Sequence, residues 1–143
     1  DVVENLIKNA EKSVVMTGYS ISDYFTGMLD TIIAKSQQGV YVRFYVNDIE
    51  KSRASLVKML AYRSKYLQFF EYEKNSDDKM AASHAKILTI DSDKSLVSSA
   101  NLSYHGLSGN IEMGFLVRSA DKAKQIEELL KELVRMHVYK KIS

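Results

Sequence analysis

The feature that most constrains this chain is a hydrophobic periodicity that switches repeatedly between strand and helix spacing with very little punctuation. There is no Pro and there are only six Gly, so element boundaries have to come from the apolar pattern itself. Apolar runs at 13–18 (SVVMTG), 40–46 (VYVRFYV) and 67–72 (LQFFEY) read as strands. A first helix is expected at about 2–11. Residues 23–38 put Phe25, Met28, Leu29, Ile32 and Ile33 on one helical face with Asp23 as cap, and 50–66 reads as a further helix.

The second half continues with strands near 84–90 (HAKILTI) and 94–98 (KSLVS), a short helical turn after Asn101, a strand at 111–117 (IEMGFLV) and a terminal helix at 121–139. Parallel βαβ units followed by successive strands predict an α/β fold, with a mixed β-sheet flanked by helices on both faces. With 143 residues and 45% hydrophobic content, the chain builds one core and is read as a single domain over 1–143. It opens on Asp1 inside an amphipathic stretch, without an initiator Met or a signal sequence, so it is expected to be excised from a longer protein.

Twenty basic and eighteen acidic residues give a net charge of +2, which excludes binding nucleic acid by dense charge alone; any anion must be held locally. The absence of Cys excludes disulfides and thiolate metal sites and fits a reducing compartment, so a cytoplasmic location is expected. No window approaches the roughly 18 apolar residues that span a bilayer, and no stable membrane association is expected. The polar stretch 74–82 (KNSDDKMAA) runs into His84 and is expected to be the least ordered loop, placed to gate whatever lies beside it.

Chemistry concentrates after that loop. In an extended strand residues two apart share a face, so His84 and Lys86 project together, a nucleophile or acid beside a cation. Asp91 has the opposite parity and is assigned a structural role. Ser99 and Asn101, also two apart, bring a hydroxyl and an amide to the end of the following strand, both suited to phosphate oxygens. Glu112 opens the next strand, where a carboxylate accepting from one imidazole nitrogen leaves the other free to attack.

HAKILTID at 84–91 resembles the HxKxxxxD signature of the phospholipase D superfamily, and the downstream residues match at the family's spacing: SSAN at 98–101 stands where the family has GSxN, and NIE at 110–112 follows. Only the glycine departs, replaced by Ser98, which raises a question of backbone conformation. HxKxxxxD alone arises in roughly two of a hundred shuffles of such a composition, and with SxN and Glu added in fewer than about one in ten thousand.

The resemblance implies a phospholipase D-like fold and a metal-independent phosphodiesterase without cofactor, using His84, Lys86, Ser99, Asn101 and Glu112. Superfamily chemistry uses two histidines, one forming a phosphohistidine and the other protonating the leaving oxygen. This chain supplies one motif, so a homodimer sharing one site is expected. Single-motif relatives are often endonucleases, so the resemblance implies a nuclease, with DNA favoured over RNA as substrate. A phospholipid hydrolase and a catalytically silent nucleic-acid-binding or dimerisation module remain the alternatives.

Other features have plainer readings. His105 and His137 lack the following lysine and are read as structural or surface residues, with His105 near enough to line the mouth. Lys51, Arg53, Lys58, Arg63 and Lys65 on the 50–66 helix offer a strip for a nucleic-acid backbone, against the ordinary reading of a solvated helix face. Tyr19, Tyr62, Tyr66 and Tyr104 are read as packing before base stacking.

Overall fold

A computed structural model describes residues 2–17, 26–47, 56–73, 86–98 and 114–142. The elements in chain order are α1 (Val2–Lys8), β1 (Ser13–Thr17), α2 (Thr26–Gln37), β2 (Tyr41–Val46), α3, described over 56–60, β3 (Leu67–Tyr72), β4 (Lys86–Ile90), β5 (Lys94–Ser98), β6 (Gly114–Arg118), α4 (Ala120–Arg135) and β7 (Tyr139–Ile142). They form one seven-stranded mixed sheet in the order β6-β5-β4-β1-β2-β3-β7. β1, β2 and β3 run parallel, and every other pairing is antiparallel.

Strand alternation divides the core into two layers. Val14, Met16, Val42, Phe44, Leu67, Phe69, Leu88 and Ile90 face one way and meet Val3 and Ile7 of α1, Leu29 and Ile32 of α2, and Leu56 and Met59 of α3. Val15, Tyr45, Phe70 and Tyr139 face the other way and meet Leu130 of α4, with Ile126, Leu133 and Val134 at its margin. Among the described residues, helices therefore cover both faces, three on one and one on the other. Of the face expected on the second helix, Met28, Leu29, Ile32 and Ile33 are buried, while Phe25 and Asp23 lie outside the described residues.

Helix ends are where the sequence reading needs correction. α2 stops in a Schellman turn, with Gly39 (φ 91°) donating to Ser36 O and Val40 to Lys35 O. α4 starts on Ser119, whose Oγ accepts from the Lys122 N–H. It ends the same way as α2 but without glycine: His137 takes the left-handed conformation (φ 61°) and donates to Val134 O while Val138 donates to Leu133 O. The helix expected to reach 139 thus ends at Arg135, and the chain returns as β7, pairing Tyr139–Ile142 with β3. The expected 50–66 helix is also too long, since residues 61–66 form turns in which Tyr62 N–H donates to Met59 O and Ser64 exchanges bonds with Leu67.

Candidate active site

Of the motif residues and the histidines weighed beside them, Lys86, Asp91 and His137 are described; His84, Ser99, Asn101, Glu112, His105 and the 74–82 loop lie outside the described residues. Lys86 is the first residue of β4. Its neighbour Ile87 pairs with Thr17, the last residue of β1, so Lys86 stands at the edge where the parallel strands end. Ligands of open α/β sheets bind at that edge.

Lys86 pairs with Ser98, the last residue of β5, and Ser98 pairs with Gly114, the first of β6. The three form a row across adjacent strands, on the face shared with Leu88 and Leu96. Lys86 and Ser98 are half-buried.

Ser98, standing where the resemblance has glycine, is a regular strand residue; the non-glycine residues with positive φ among those described are Asp91, Ser92 and His137. The space question moves to Gly114 instead. A Cβ there would lie 2.9 Å from Ser98 Cβ and 3.3 Å from Val97 O. The serine side chain therefore occupies room that the facing glycine leaves. Gly114 was missed as a site-shaping residue, although a glycine inside the strand pattern IEMGFLV signals a close approach.

The opposite end of β4 is built differently. Asp91 leaves the strand with φ 56°, and its carboxylate accepts from three successive backbone N–H groups in the turn before β1: Glu11 (3.1 and 3.2 Å), Lys12 (2.6 Å) and Ser13 (3.0 Å). Burial pushes this carboxyl up, but the hydrogen bonds from Ser13, Lys12 and Glu11, helped by the charge of Lys94, outweigh it and hold the group below its ordinary range. Glu127 of α4 adds a second tie, accepting from Thr89 Oγ1 and Ser92 Oγ at 2.7 Å each. Nothing in the sequence marked Glu127, because its partners are 38 and 35 residues away.

The basic strip does not form as a strip. Lys58 is paired with Asp30 at 2.6 Å, Arg63 Nη1 donates to Leu60 O, and Lys65 sits 5.1 Å from the Tyr66 ring centre. Arg63 and Lys65 lie beyond the end of α3, while Lys51 and Arg53 are outside the described residues. Tyr66 packs on Tyr41, with ring centroids 4.6 Å apart, and Tyr62 is exposed; Tyr19 and Tyr104 are not described. Two cavities, of 320 Å³ (Arg63, Gln68, Lys141) and 180 Å³ (Arg43, Ser92, Lys131), lie at the far edge of the sheet from Lys86.

Comparison with known proteins places this geometry among relatives. The family model for the PLD-like domain of cardiolipin synthase matches residues 3–134. The DISARM protein DrmC of Bacillus paralicheniformis (strain ATCC 9945a / NCIMB 11709 / CD-2) is 31% identical over 141 residues, which is 99% of this chain and 58% of DrmC. The chain thus spans little more than half the length of that relative. Among solved structures, the phospholipase D family member Nuc from Salmonella typhimurium superposes with a TM-score of 0.76 at 17% identity, covering 99% of this chain and 88% of Nuc. NucT from Helicobacter pylori gives 0.74 at 17% identity, covering 96% and 87%. At that identity the structures speak for the fold.

Proposed function

This chain belongs to the phospholipase D-like family, and from that premise we propose that it is a metal-independent phosphodiesterase that cleaves nucleic acid, DNA in preference to RNA, at a site shared by two copies. The observation that carries the reading is the Lys86–Ser98–Gly114 row at the edge where β1 ends, to which the chain tethers His84, Ser99, Asn101 and Glu112.

In this mechanism the free imidazole nitrogen of one His84 attacks phosphorus, forming a P–N bond as the P–O bond to the leaving group breaks. The partner subunit's His84, protonated, gives its proton to the leaving oxygen. Water then attacks the phosphohistidine, passing a proton back to that second imidazole and releasing the phosphate product and the first imidazole. Lys86, Ser99 and Asn101 from both copies hold the non-bridging oxygens as charge builds on them. Glu112 accepts from the other imidazole nitrogen and fixes the tautomer. Two close histidines in opposite protonation states titrate in two coupled steps, so a bell-shaped pH profile follows.

A nuclease is preferred to a lipid hydrolase because the segments nearest the motif, 74–82 and 104–110, carry no large aliphatic residue beyond Met80 and Leu107. Among the described residues no helix is long and apolar enough to cross a membrane, and a cytoplasmic setting fits a chain without Cys.

The test is to incubate the protein with single-stranded DNA, duplex DNA, RNA and a phospholipid, each with excess EDTA. DNA cleavage in chelator is expected; activity lost with EDTA and restored by magnesium overturns the mechanism, and turnover of phospholipid alone overturns the substrate. A silent binding module is separated by trapping labelled phosphohistidine, which it would never form.

A further inference from the structure

We infer that the cavity between α4 and the starts of β1 and β2 is a binding site for a singly charged phosphate group, held by the Arg43 guanidinium with Ser13 and Lys131 beside it. It lies apart from the Lys86 edge and does not depend on the reading of that edge. Val15, in the cavity wall, pairs with Thr89, which is three residues and about 10 Å along β4 from Lys86, and Lys86 faces the other side of the sheet with Leu88.

The 180 Å³ cavity brings together Ser13, Tyr41, Arg43, Ser92, Glu127 and Lys131. Strand parity explains why the sheet residues meet: Ser13 lies two before Val15 on β1, Val15 pairs with Arg43, and Val15 belongs to the core layer under α4. Glu127 and Lys131 are four apart on α4 and project from the same side of that helix. Two groups in the cavity are left without an internal partner. Arg43 is half-buried, yet it makes no hydrogen bond or ion pair among the described residues. Glu127 lines the same cavity, but its two oxygens are held by the Thr89 and Ser92 hydroxyls. Ser13 gives its backbone N–H to Asp91, and its own hydroxyl is buried with no hydrogen-bond partner. A buried hydroxyl and a half-buried guanidinium in that state are both stabilised by meeting an oxyanion.

Charge and shape select the ligand. Arg43 and Lys131 against Glu127 leave the lining with a net positive charge of one, which suits a singly charged anion; a second negative charge would face the Glu127 carboxylate. Lys131 is available as the second cation because its contact with Glu128 is long, at 3.4 Å, and solvent-exposed. Ser92 has given its proton to Glu127, so the donors are the guanidinium fork, the ammonium group and the Ser13 hydroxyl. Donors of three kinds converging from two strands and a helix match the several oxygens of a tetrahedral phosphate, whereas a planar carboxylate would occupy only part of them. Tyr41 stands exposed at the rim. Free phosphate in its singly charged form and the diester of a nucleic-acid backbone both present this group.

Calorimetric titration tests the site with two probes, inorganic phosphate at mildly acidic pH and a dinucleoside monophosphate whose only phosphate is a diester, on chains carrying His84→Ala to prevent turnover. At least one probe is expected to bind. Adding Arg43→Gln is expected to weaken that binding by about tenfold or more, Lys131→Gln by about threefold, and Lys86→Ala by less than about twofold. Binding of inorganic phosphate alone assigns the site to free phosphate, and binding of the diester assigns it to a nucleic-acid backbone. The far-ultraviolet spectrum is expected to survive Arg43→Gln; if it does not, Lys131→Gln, at a partly exposed helix position, decides the question. Undiminished affinity in a folded Arg43→Gln chain overturns the proposal. So does affinity lost in Lys86→Ala but kept in Lys131→Gln, which would place the phosphate at the other edge, and so does failure of both probes to bind.

Discussion

The two ends of β4 belong to one eight-residue signature and are built differently. At Asp91 the carboxylate is consumed by three backbone N–H groups and the chain sits in a left-handed turn, so this end is committed to structure. At Lys86 the strand begins in a row that it shares with Ser98 and Gly114, and Lys86 and Ser98 are half-buried. A sheet can separate stability from chemistry over one short strand because its two edges are about 15 Å apart.

The largest expected effect breaks the chemical end alone. His84→Ala, or Lys86→Ala, is expected to lower phosphodiesterase turnover by a factor of about a thousand or more while the melting temperature stays within a few degrees of wild type. A matching collapse in thermal stability would mean that this end, too, is structural.

Asp91→Asn probes the other end and keeps the residue's tolerance of positive φ. It is expected to cost about 2–3 kcal/mol, read from chemical denaturation, with activity retained below the shifted melting point. The pH dependence sharpens this. Folding lowers the carboxyl's pKa, so its contribution is complete above the ordinary carboxylate range and fades as pH falls through the lowered value. The stability gap between wild type and Asp91→Asn should therefore be full at neutral pH and narrow below about pH 4; a gap independent of pH would remove the charge from the explanation.

Gly114→Ala tests the packing at the chemical end. It is expected to destabilise by about 1–2 kcal/mol, and Ser98→Gly in the same chain should recover most of the loss, since the two Cβ atoms compete for one space. Additive effects in the double variant would refute that coupling. Smallest is Glu127→Gln, which keeps one acceptor for Thr89 and Ser92 and should cost about 1 kcal/mol without changing turnover.

The alternation of β1, β2 and β3 with intervening helices, the parity that sets Lys86 apart from Asp91, and the 84–112 spacing that resembles a known family were all legible in the sequence, because each is a local pattern with a fixed period or offset. His84, Ser99, Asn101 and Glu112 remain sequence expectations, tied to the Lys86 edge by the reach of the chain. The terminal helix was misread past Arg135, because a histidine takes the left-handed position where the usual signal is glycine.

What the sequence by itself determined is therefore the order of the elements as far as α4 and a mixed sheet covered by helices on both faces. Tertiary structure alone decided that Asp91 holds the turn before β1 some 80 residues away, that Gly114 makes room for Ser98, that Glu127 braces the β4–β5 turn, and that β6 is the outermost of the described strands beside β5. Each of these depends on which strand lies beside which, and strand order is set by long-range packing that no local period encodes.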